Sequence, residues 1–206
     1  MPIIESVQVA SVAVPLDKVT SFSTRTVSER HYCLVKVRGR DGNEGIGFCY
    51  VGSAGGDIAK IAVEQLLAPK LIGQNSHRSE GLWMEMYNES ILQGRAGAVM
   101  RGISILDTAL WDLNARAAKL PLHQYLGSVV DDRVPAYASG GYYLDGKTPA
   151  KLGKEMESYV KQGFKAVKMK VGRLSPAEEE ARVRAARRAI GDDVLLTLDA
   201  NNAWRD

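Results

Sequence analysis

The apolar residues of the first fifty positions are largely β-branched, and their arrangement predicts β-strands. The segment 3–16, IIESVQVASVAVPL, is one candidate strand. The segment 31–51, HYCLVKVRGRDGNEGIGFCYV, predicts two strands joined around Asp41 and Gly42, because Asp-Gly between apolar runs is a strong hairpin signal. Between these segments, residues 17–30 are polar, rich in Ser and Thr and without a clear period. They predict a long exposed loop.

A glycine-rich loop at 51–57 leads into a region where apolar residues recur at helical spacing. The first predicted helix, 57–73, has Asp57 as its candidate N-cap, and a second helix is predicted at 76–90. The strongest pattern lies in 96–122, where the apolar positions are Val99, Ile103, Leu106, Leu110, Leu113 and Ala117. A strand meander followed by helices predicts an α+β domain.

After residue 133 the pattern changes to alternating strands and helices. Strands are predicted at 134–139, 164–171 and 194–200, with helices between them at 148–163 and 175–191. Each helix has Pro at its first position, and the second helix begins with a capping box. This alternation predicts parallel strands joined by right-handed crossovers.

Composition and charge exclude several classes of partner. The net charge of +3 over 206 residues is too small to indicate nucleic acid or an anionic membrane surface. No apolar run approaches a membrane-spanning length, and the N-terminus lacks the basic region of a signal peptide. The two cysteines form neither a disulfide framework nor a zinc cluster, and the three histidines show no ligand spacing. We therefore expect a cytoplasmic protein without a nucleic-acid or membrane partner.

The arginine-rich run ARVRAARRAIG, residues 181–191, is a second possible sign of nucleic-acid binding. However, Glu178 is four residues before Arg182, and Glu180 is four residues before Arg184. Pairs at this spacing stabilise an amphipathic helix and predict a solvated helix face here.

Candidate chemistry lies in GFKAVKMKVG, residues 163–172, which places three lysines in an otherwise apolar strand. Lys168 and Lys170 share one face of that strand and lie at its C-terminal end, where parallel α/β folds gather their functional groups. Asp199 closes the next strand. Two neighbouring ammonium groups depress each other's pKa, which suits a lysine to act as a general base near neutral pH. Alternatively, these lysines extend past the strand end into water, and spacing alone leaves both readings open.

The lysine strand, followed in the next strand by LDANNAW, resembles the mandelate racemase subgroup of the enolase superfamily. The resemblance covers nearly the whole chain, including the hairpin VRGRDGNEGIGFCYV and the helix GISILDTALWDLNARAAKLPLHQYLG. It implies an α+β N-terminal capping domain at 1–132, with lid loops at about 16–30 and 51–57. It also implies that 133–206 form the first three strands of a (β/α) TIM-type barrel.

The same resemblance implies a role for five residues. Lys170 would be the base that removes a proton α to a carboxylate, and Lys168 would help lower the pKa of Lys170. Asp199 would be the first of three carboxylate ligands of an essential Mg²⁺, which stabilises the enediolate that forms. Ser139 would hydrogen-bond the substrate carboxylate, and Asn201 would contact the substrate or the metal shell.

The resemblance implies a homo-oligomeric enzyme that racemises or dehydrates a hydroxy acid or an acid sugar. A complete barrel of this type takes roughly 250 residues, whereas the sequence carries three of eight strands and neither the two further carboxylate ligands nor a second acid/base group. We therefore expect a chain truncated after the third barrel strand, either a fragment or a degenerate gene product, that is inactive alone. The alternative is a non-catalytic binding or assembly protein on this scaffold. The sequence does not separate racemase, dehydratase and cycloisomerase.

Overall fold

A computed structural model describes residues 2–94, 96–127 and 133–204. The chain forms two compact units. The first comprises Met1–Pro15 and Glu29–Asp132, and the second comprises Leu16–Ser28 and Arg133–Asp206. Among the described residues, no helix has both the length and the apolar character needed to cross a membrane.

Three strands in the order β1-β2-β3 form the first sheet: β1, Ile4–Phe22; β2, Arg25–Gly39; and β3, Glu44–Gly52. β2 and β3 pair antiparallel around the predicted Asp41-Gly42 turn, where Gly42 has a φ of 83°. Cys33 and Cys49 face each other across this pair as free thiols. The hairpin prediction is therefore confirmed.

The polar segment 17–30 is not the exposed loop that its composition predicts. β1 continues to Phe22, β2 begins at Arg25, and a two-residue turn at Ser23 and Thr24 joins them. Threonine and valine are common in strands, and here they extend β1 and β2 beyond their apolar runs. The second predicted loop, 51–57, is also shorter than expected, because strand β3 includes Gly52 and a helix begins at Gly56.

The described part of the first unit contains four α-helices, one of which continues into other helical turns. They are α1, Gly56–Ile61, followed by a π-helical turn at Ala62–Leu67 and a 3₁₀ turn at Ala68–Lys70; α2, Ser79–Glu89; α3, Gly97–Ala117; and α4, Leu122–Tyr125. The N-cap of α1 is Gly55 rather than the predicted Asp57, which lies in the first turn. Gly55 has a φ of 88°, a conformation that favours glycine over aspartate.

The helix α3 packs its apolar stripe against the sheet to form the core of the first unit. The predicted positions Ile103, Leu106, Leu110 and Leu113 are fully buried. A side chain at Gly47 would meet the backbone carbonyl of Ile105, so glycine allows this close approach of strand and helix.

The second unit follows the predicted strand–helix alternation. Its elements are β4, Ala138–Ser139; α5, Pro149–Lys161; β5, Ala166–Lys170; α6, Pro176–Ile190; and β6, Leu195–Asp199. The strands lie in the order β4-β5-β6, and both pairs are parallel. The predicted start of a (β/α) barrel is therefore confirmed, although β4 is shorter than the predicted 134–139.

The start of α6 has the predicted capping box, in which the backbone amide of Ser175 donates to Glu178 Oε2 over 3.0 Å. Because Glu178 serves this cap, the predicted Glu178–Arg182 pair is wrong. Arg182 instead pairs with Glu179 at 2.8 Å and is buried, because this side of α6 packs on the sheet. The predicted pair of Glu180 with Arg184 does form, between exposed side chains of α6, with 2.6 Å between Arg184 Nη2 and Glu180 Oε1.

Candidate active site

The strand β5 separates its charged and apolar side chains onto opposite faces. Val167 and Met169 are fully buried in the core that β5 forms with α5 and α6. Lys168 and Lys170 therefore project from the other face. In the parallel register, Ser139 and Lys168 are partners, as are Lys170 and Asp199. Paired residues of neighbouring strands project to the same side, so all four side chains lie on one face of the sheet.

Both lysines converge on a single carboxylate oxygen. The Nζ of Lys170 lies 2.6 Å from Asp199 Oδ2, and the Nζ of Lys168 lies 3.3 Å from the same atom. The Lys170 side chain is only 8% exposed, whereas those of Lys168 and Asp199 are 22% and 27% exposed. The lysines thus contact a carboxylate instead of extending separately into water.

The shared carboxylate controls the electrostatics of this group. The hydrogen bond from Lys170 is the largest influence on Asp199 and lowers its pKa to about 2, so the carboxylate is ionised at neutral pH. Burial would lower the pKa of Lys168, but the hydrogen bond and charge of Asp199 outweigh it and raise that pKa. The depression expected from two adjacent ammonium groups is therefore not what Lys168 experiences, because Asp199 lies between them.

Two tyrosines that the sequence analysis did not select flank the lysines. The Nζ of Lys168 is 5.4 Å from the centre of the Tyr137 ring, and the Nζ of Lys170 is 5.5 Å from the centre of the Tyr142 ring. Aromatic faces at this distance attract ammonium groups. The sequence signal that could have selected them is their position near the short strand β4, since Tyr137 directly precedes the strand and Tyr142 follows its last residue by three positions.

Asn201 lies in the turn that follows β6, with a left-handed φ of 46°. Its backbone N–H donates to Asp199 Oδ1 over 3.0 Å. Its side-chain oxygen is buried and makes no hydrogen bond with the described residues. Ser139 is exposed beside Lys168.

The oxygens of Asp199 and Asn201 fit a hard divalent cation. Mg²⁺ prefers carboxylate and carbonyl oxygens, and a buried amide oxygen without a donor is free to serve as a ligand or to accept from a ligand water. Within residues 2–94, 96–127 and 133–204, no group of three or more His, Cys, Asp or Glu side chains is arranged to hold a metal ion. This part of the chain therefore offers one carboxylate toward such a site rather than a complete ligand set.

Comparisons with known protein families identify the family of this chain. A sequence model of the mandelate racemase/muconate lactonizing enzyme N-terminal domain matches residues 4–127, and one described as enolase C-terminal domain-like matches residues 151–206. The chain belongs to the mandelate racemase/muconate lactonizing enzyme family. The first match covers the strands β1–β3 and the helices α1–α4. The second match covers the barrel strands β5 and β6, which carry Lys168, Lys170 and Asp199.

The relatives of this chain include enzymes that are named after sugar acids. Arabinonate dehydratase of Saccharolobus solfataricus is 40% identical over 148 residues, which are 72% of this chain and 39% of the relative. The 3,6-anhydro-alpha-L-galactonate cycloisomerase of Streptomyces coelicolor is 33% identical over 203 residues, 98% of this chain and 55% of the relative. The chain thus spans about half the length of the curated relatives it matches.

A solved structure of the same family shows the metal and a ligand together. L-talarate/galactarate dehydratase of Salmonella typhimurium, liganded with Mg and L-lyxarohydroxamate, superposes with a TM-score of 0.89 at 30% identity. The match covers 98% of this chain and 52% of that one. The magnesium predicted from the family resemblance is therefore present in a structural neighbour.

Proposed function

We propose that the protein containing this chain is a Mg²⁺-dependent dehydratase that abstracts the proton α to the carboxylate of an acid sugar. Lys170 is the base. The observation that carries the proposal is the 2.6 Å contact between Lys170 Nζ and Asp199 Oδ2 at the C-terminal ends of adjacent parallel strands. This is the edge at which barrel enzymes of this type perform their chemistry.

A proton α to a carboxylate is weakly acidic, so a lysine needs an electrophile to remove it. When bound, the metal ion stabilises the negative charge that develops on the carboxylate oxygens. Asp199 would hold this ion, with Asn201 as a ligand or as a contact to a ligand water. As the neutral amine, Lys170 would take the proton onto Nζ and become an ammonium, while the electron pair of the broken C–H bond enters the enediolate.

The remaining site residues would bind and orient the substrate. Lys168, next to Asp199, would provide a fixed positive charge beside the carboxylate. Ser139, in register with Lys168, would donate a hydrogen bond to a substrate oxygen. Tyr137 and Tyr142 would limit the access of water to the amino groups of Lys168 and Lys170.

The relatives support an acid sugar as the substrate class. The names of the relatives describe arabinonate, an anhydrogalactonate and talarate or galactarate, which share a carboxylate beside a chain of hydroxyl groups. Dehydration is favoured over racemisation because arabinonate dehydratase is the 40% identical relative. In dehydration, the enediolate expels the hydroxyl from the neighbouring carbon as water, with a proton from a general acid.

The proposal is tested by α-proton exchange in the full-length protein. Incubation with Mg²⁺ and a panel of aldonic and aldaric acids in deuterated water should release a 2-keto acid or place deuterium at the α-carbon. Lys170→Ala should reduce this rate by about 10²–10⁴-fold, the usual contribution of a positioned general base. Lys165→Ala is the matched control, because Lys165 is exposed and precedes the same strand.

Two outcomes would contradict the proposal. If Lys170→Ala exchanges the α-proton as fast as the wild-type protein, Lys170 is not the base. If the wild-type protein binds these acids without exchange or keto acid formation, the non-catalytic alternative on this scaffold is favoured, and if it binds none of them, the proposed acid-sugar substrate class is wrong.

A further inference from the structure

The buried guanidinium of Arg182, on α6, connects the ends of two strands near the lysines. Its Nη1 donates to the carbonyl of Lys170 over 2.9 Å, and its Nη2 donates to the carbonyl of Gly141 over 2.8 Å. Arg182 is 6% exposed, and its Cζ lies 3.9 Å from the centre of the Tyr143 ring. A buried arginine with this many partners is fixed in one geometry.

Glu179 balances the charge of Arg182 and holds the turn that follows β5. Its Oε2 accepts from Arg182 Nη1 at 2.8 Å. Its Oε1 accepts from the hydroxyl of Tyr143 and from three consecutive backbone amides at 3.0 Å each, those of Gly172, Arg173 and Leu174. The first residues after Lys170 are therefore attached to α6.

Arg182 acts where the pairing of β4 with β5 ends. The carbonyl of Lys168 still accepts from the amide of Gly140 across this pair, at 2.9 Å. Gly141 then adopts a φ of 67°, and a side chain there would meet Met169, so β4 turns away at this point. The carbonyl of Lys170 points to the same edge of β5 as that of Lys168, because residues two apart in a strand repeat their orientation. Arg182 supplies the donor that β4 no longer provides.

We propose that Arg182, supported by Glu179, is a positioning residue that fixes the backbone of Lys170 and so holds its ammonium group at Asp199. The catalytic consequence of this role rests on the proposed function above. Lys170 is the last residue of its strand, where β6 still pairs with the backbone but β4 has already ended, at Ser139. A displacement of about 1 Å at a reacting group is enough to lower a rate by about 10²-fold.

The helix α6 also contains a matched control. The Nη1 of Arg187 donates to the carbonyls of Gly191 and Val194, both at 2.8 Å. These bonds are of the same chemical type as those of Arg182, but they join α6 to the residues that lead into β6. Arg187→Met should therefore destabilise the same helix without displacing Lys170.

The kinetic test compares Arg182→Met, Arg182→Lys and Arg187→Met in the full-length protein. Arg182→Met should reduce kcat for α-proton exchange by about 10–100-fold with little change in KM. Arg182→Lys should recover only part of this loss, because one ammonium does not reproduce a planar donor to two carbonyls. It is also the variant to use if Arg182→Met does not fold. Arg187→Met should keep kcat within about twofold of wild type.

A second measurement is independent of turnover. In protein labelled with ¹³C at lysine Cε, the Lys170 signal is assigned by its loss in Lys170→Arg. We expect this signal to shift toward those of exposed lysines in Arg182→Met or Arg182→Lys and to stay unchanged in Arg187→Met. A Lys170 signal that remains in place in both Arg182 variants would overturn the positioning role, as would equal kcat losses in Arg182→Met and Arg187→Met. A wild-type protein without exchange activity would count against the proposed function alone, because the lysine signal still tests the position of Lys170.

Discussion

Asp199 is the residue on which both lysines of the site depend. An ammonium with the 8% exposure of Lys170 is expensive to desolvate without a carboxylate, and Asp199 supplies that carboxylate at 2.6 Å. The same oxygen also contacts Lys168 at 3.3 Å, so two positive charges share one negative charge. Removing Asp199 therefore affects the folded state as well as any bound cation.

We expect Asp199→Asn to lower the free energy of unfolding of the full-length protein by about 3 kcal/mol, because it leaves Lys170 buried without its counter-charge. The measurement is urea denaturation at neutral pH in the presence of EDTA, so that metal binding does not contribute. Glu157→Gln is the control, since it removes an exposed pair with Lys161 at 2.8 Å and should change the free energy by less than about 0.5 kcal/mol. Equal losses in the two variants would show that Asp199 does not neutralise a buried charge.

At the scale of elements, α6 anchors the end of β5 through Glu179 and its partner Tyr143, of which one is ionised and the other neutral. Burial alone would raise the pKa of Glu179, but hydrogen bonds from Tyr143, the backbone amides and Arg182 hold it below its ordinary value. Burial, and then the bond to Glu179, raise the pKa of Tyr143 to about 12. At neutral pH Glu179 is thus an ionised acceptor and Tyr143 a neutral donor.

These shifts predict a pH-dependent stability. The pKa of Glu179 is lower in the folded than in the unfolded chain. The stabilisation that its ionised form contributes is therefore complete above the unfolded-state pKa and is lost as the pH falls through the folded-state pKa. Glu179→Gln should lower the free energy of unfolding by about 2 kcal/mol at neutral pH, with the difference from wild type shrinking as the pH falls below the ordinary pKa of a glutamate side chain. The groups facing Glu179 are Arg182, Tyr143 and the neighbouring Glu178.

The measurement is urea denaturation of wild type and variant across this pH range. Glu180→Gln is the control for α6, because the pair that Glu180 forms with Arg184 is exposed. A constant difference between Glu179→Gln and wild type at all pH values would contradict the assignment of an ionised, hydrogen-bonded Glu179.

The sequence predicted those parts of the site that depend on local periodicity. Lys168 and Lys170 share a face because a strand has a two-residue repeat, and Asp199 reaches them because parallel strands end at one edge. Arg182 was assigned to solvent because of its expected pairing with Glu178, although it lies four and eight residues before Ala186 and Ile190, with which it is buried. Its bonds to the carbonyls of Lys170 and Gly141 join separate elements, and such bonds are a property of tertiary packing that local periodicity does not predict.

At the scale of the molecule, the tip of the hairpin formed by β1 and β2, residues 16–28, belongs to the second unit, which carries the lysines. Ser23 Oγ donates to the carbonyl of Val171 over 2.5 Å, and Arg173 Nη1 donates to the carbonyl of Phe22 over 3.3 Å. The backbones of Ser21 and Tyr143 also exchange two hydrogen bonds. These partners are more than one hundred residues apart in the sequence, which is why polar composition alone suggested a free loop.

Ser23→Ala should weaken the attachment of this hairpin tip. The lost hydrogen bond is worth about 1 kcal/mol, so local opening should increase about fivefold. The measurement is the rate of tryptic cleavage after Arg25 under native conditions, followed by mass spectrometry. Thr20→Ala is the control, because its hydroxyl donates to the carbonyl of Lys18, two residues away in the same strand. Identical cleavage rates in the two variants would mean that Ser23 does not restrain the tip.

The strand register that pairs Lys170 with Asp199 restricts where residues can be inserted into this chain or deleted from it. One extra residue within β6 would bring Leu198 opposite Lys170, and the ammonium would then face an aliphatic side chain. The connection 191–194, by contrast, can gain or lose residues while the strand keeps its alignment. In natural variants of this gene, insertions and deletions are therefore compatible with the site in that connection and incompatible with it inside the strand.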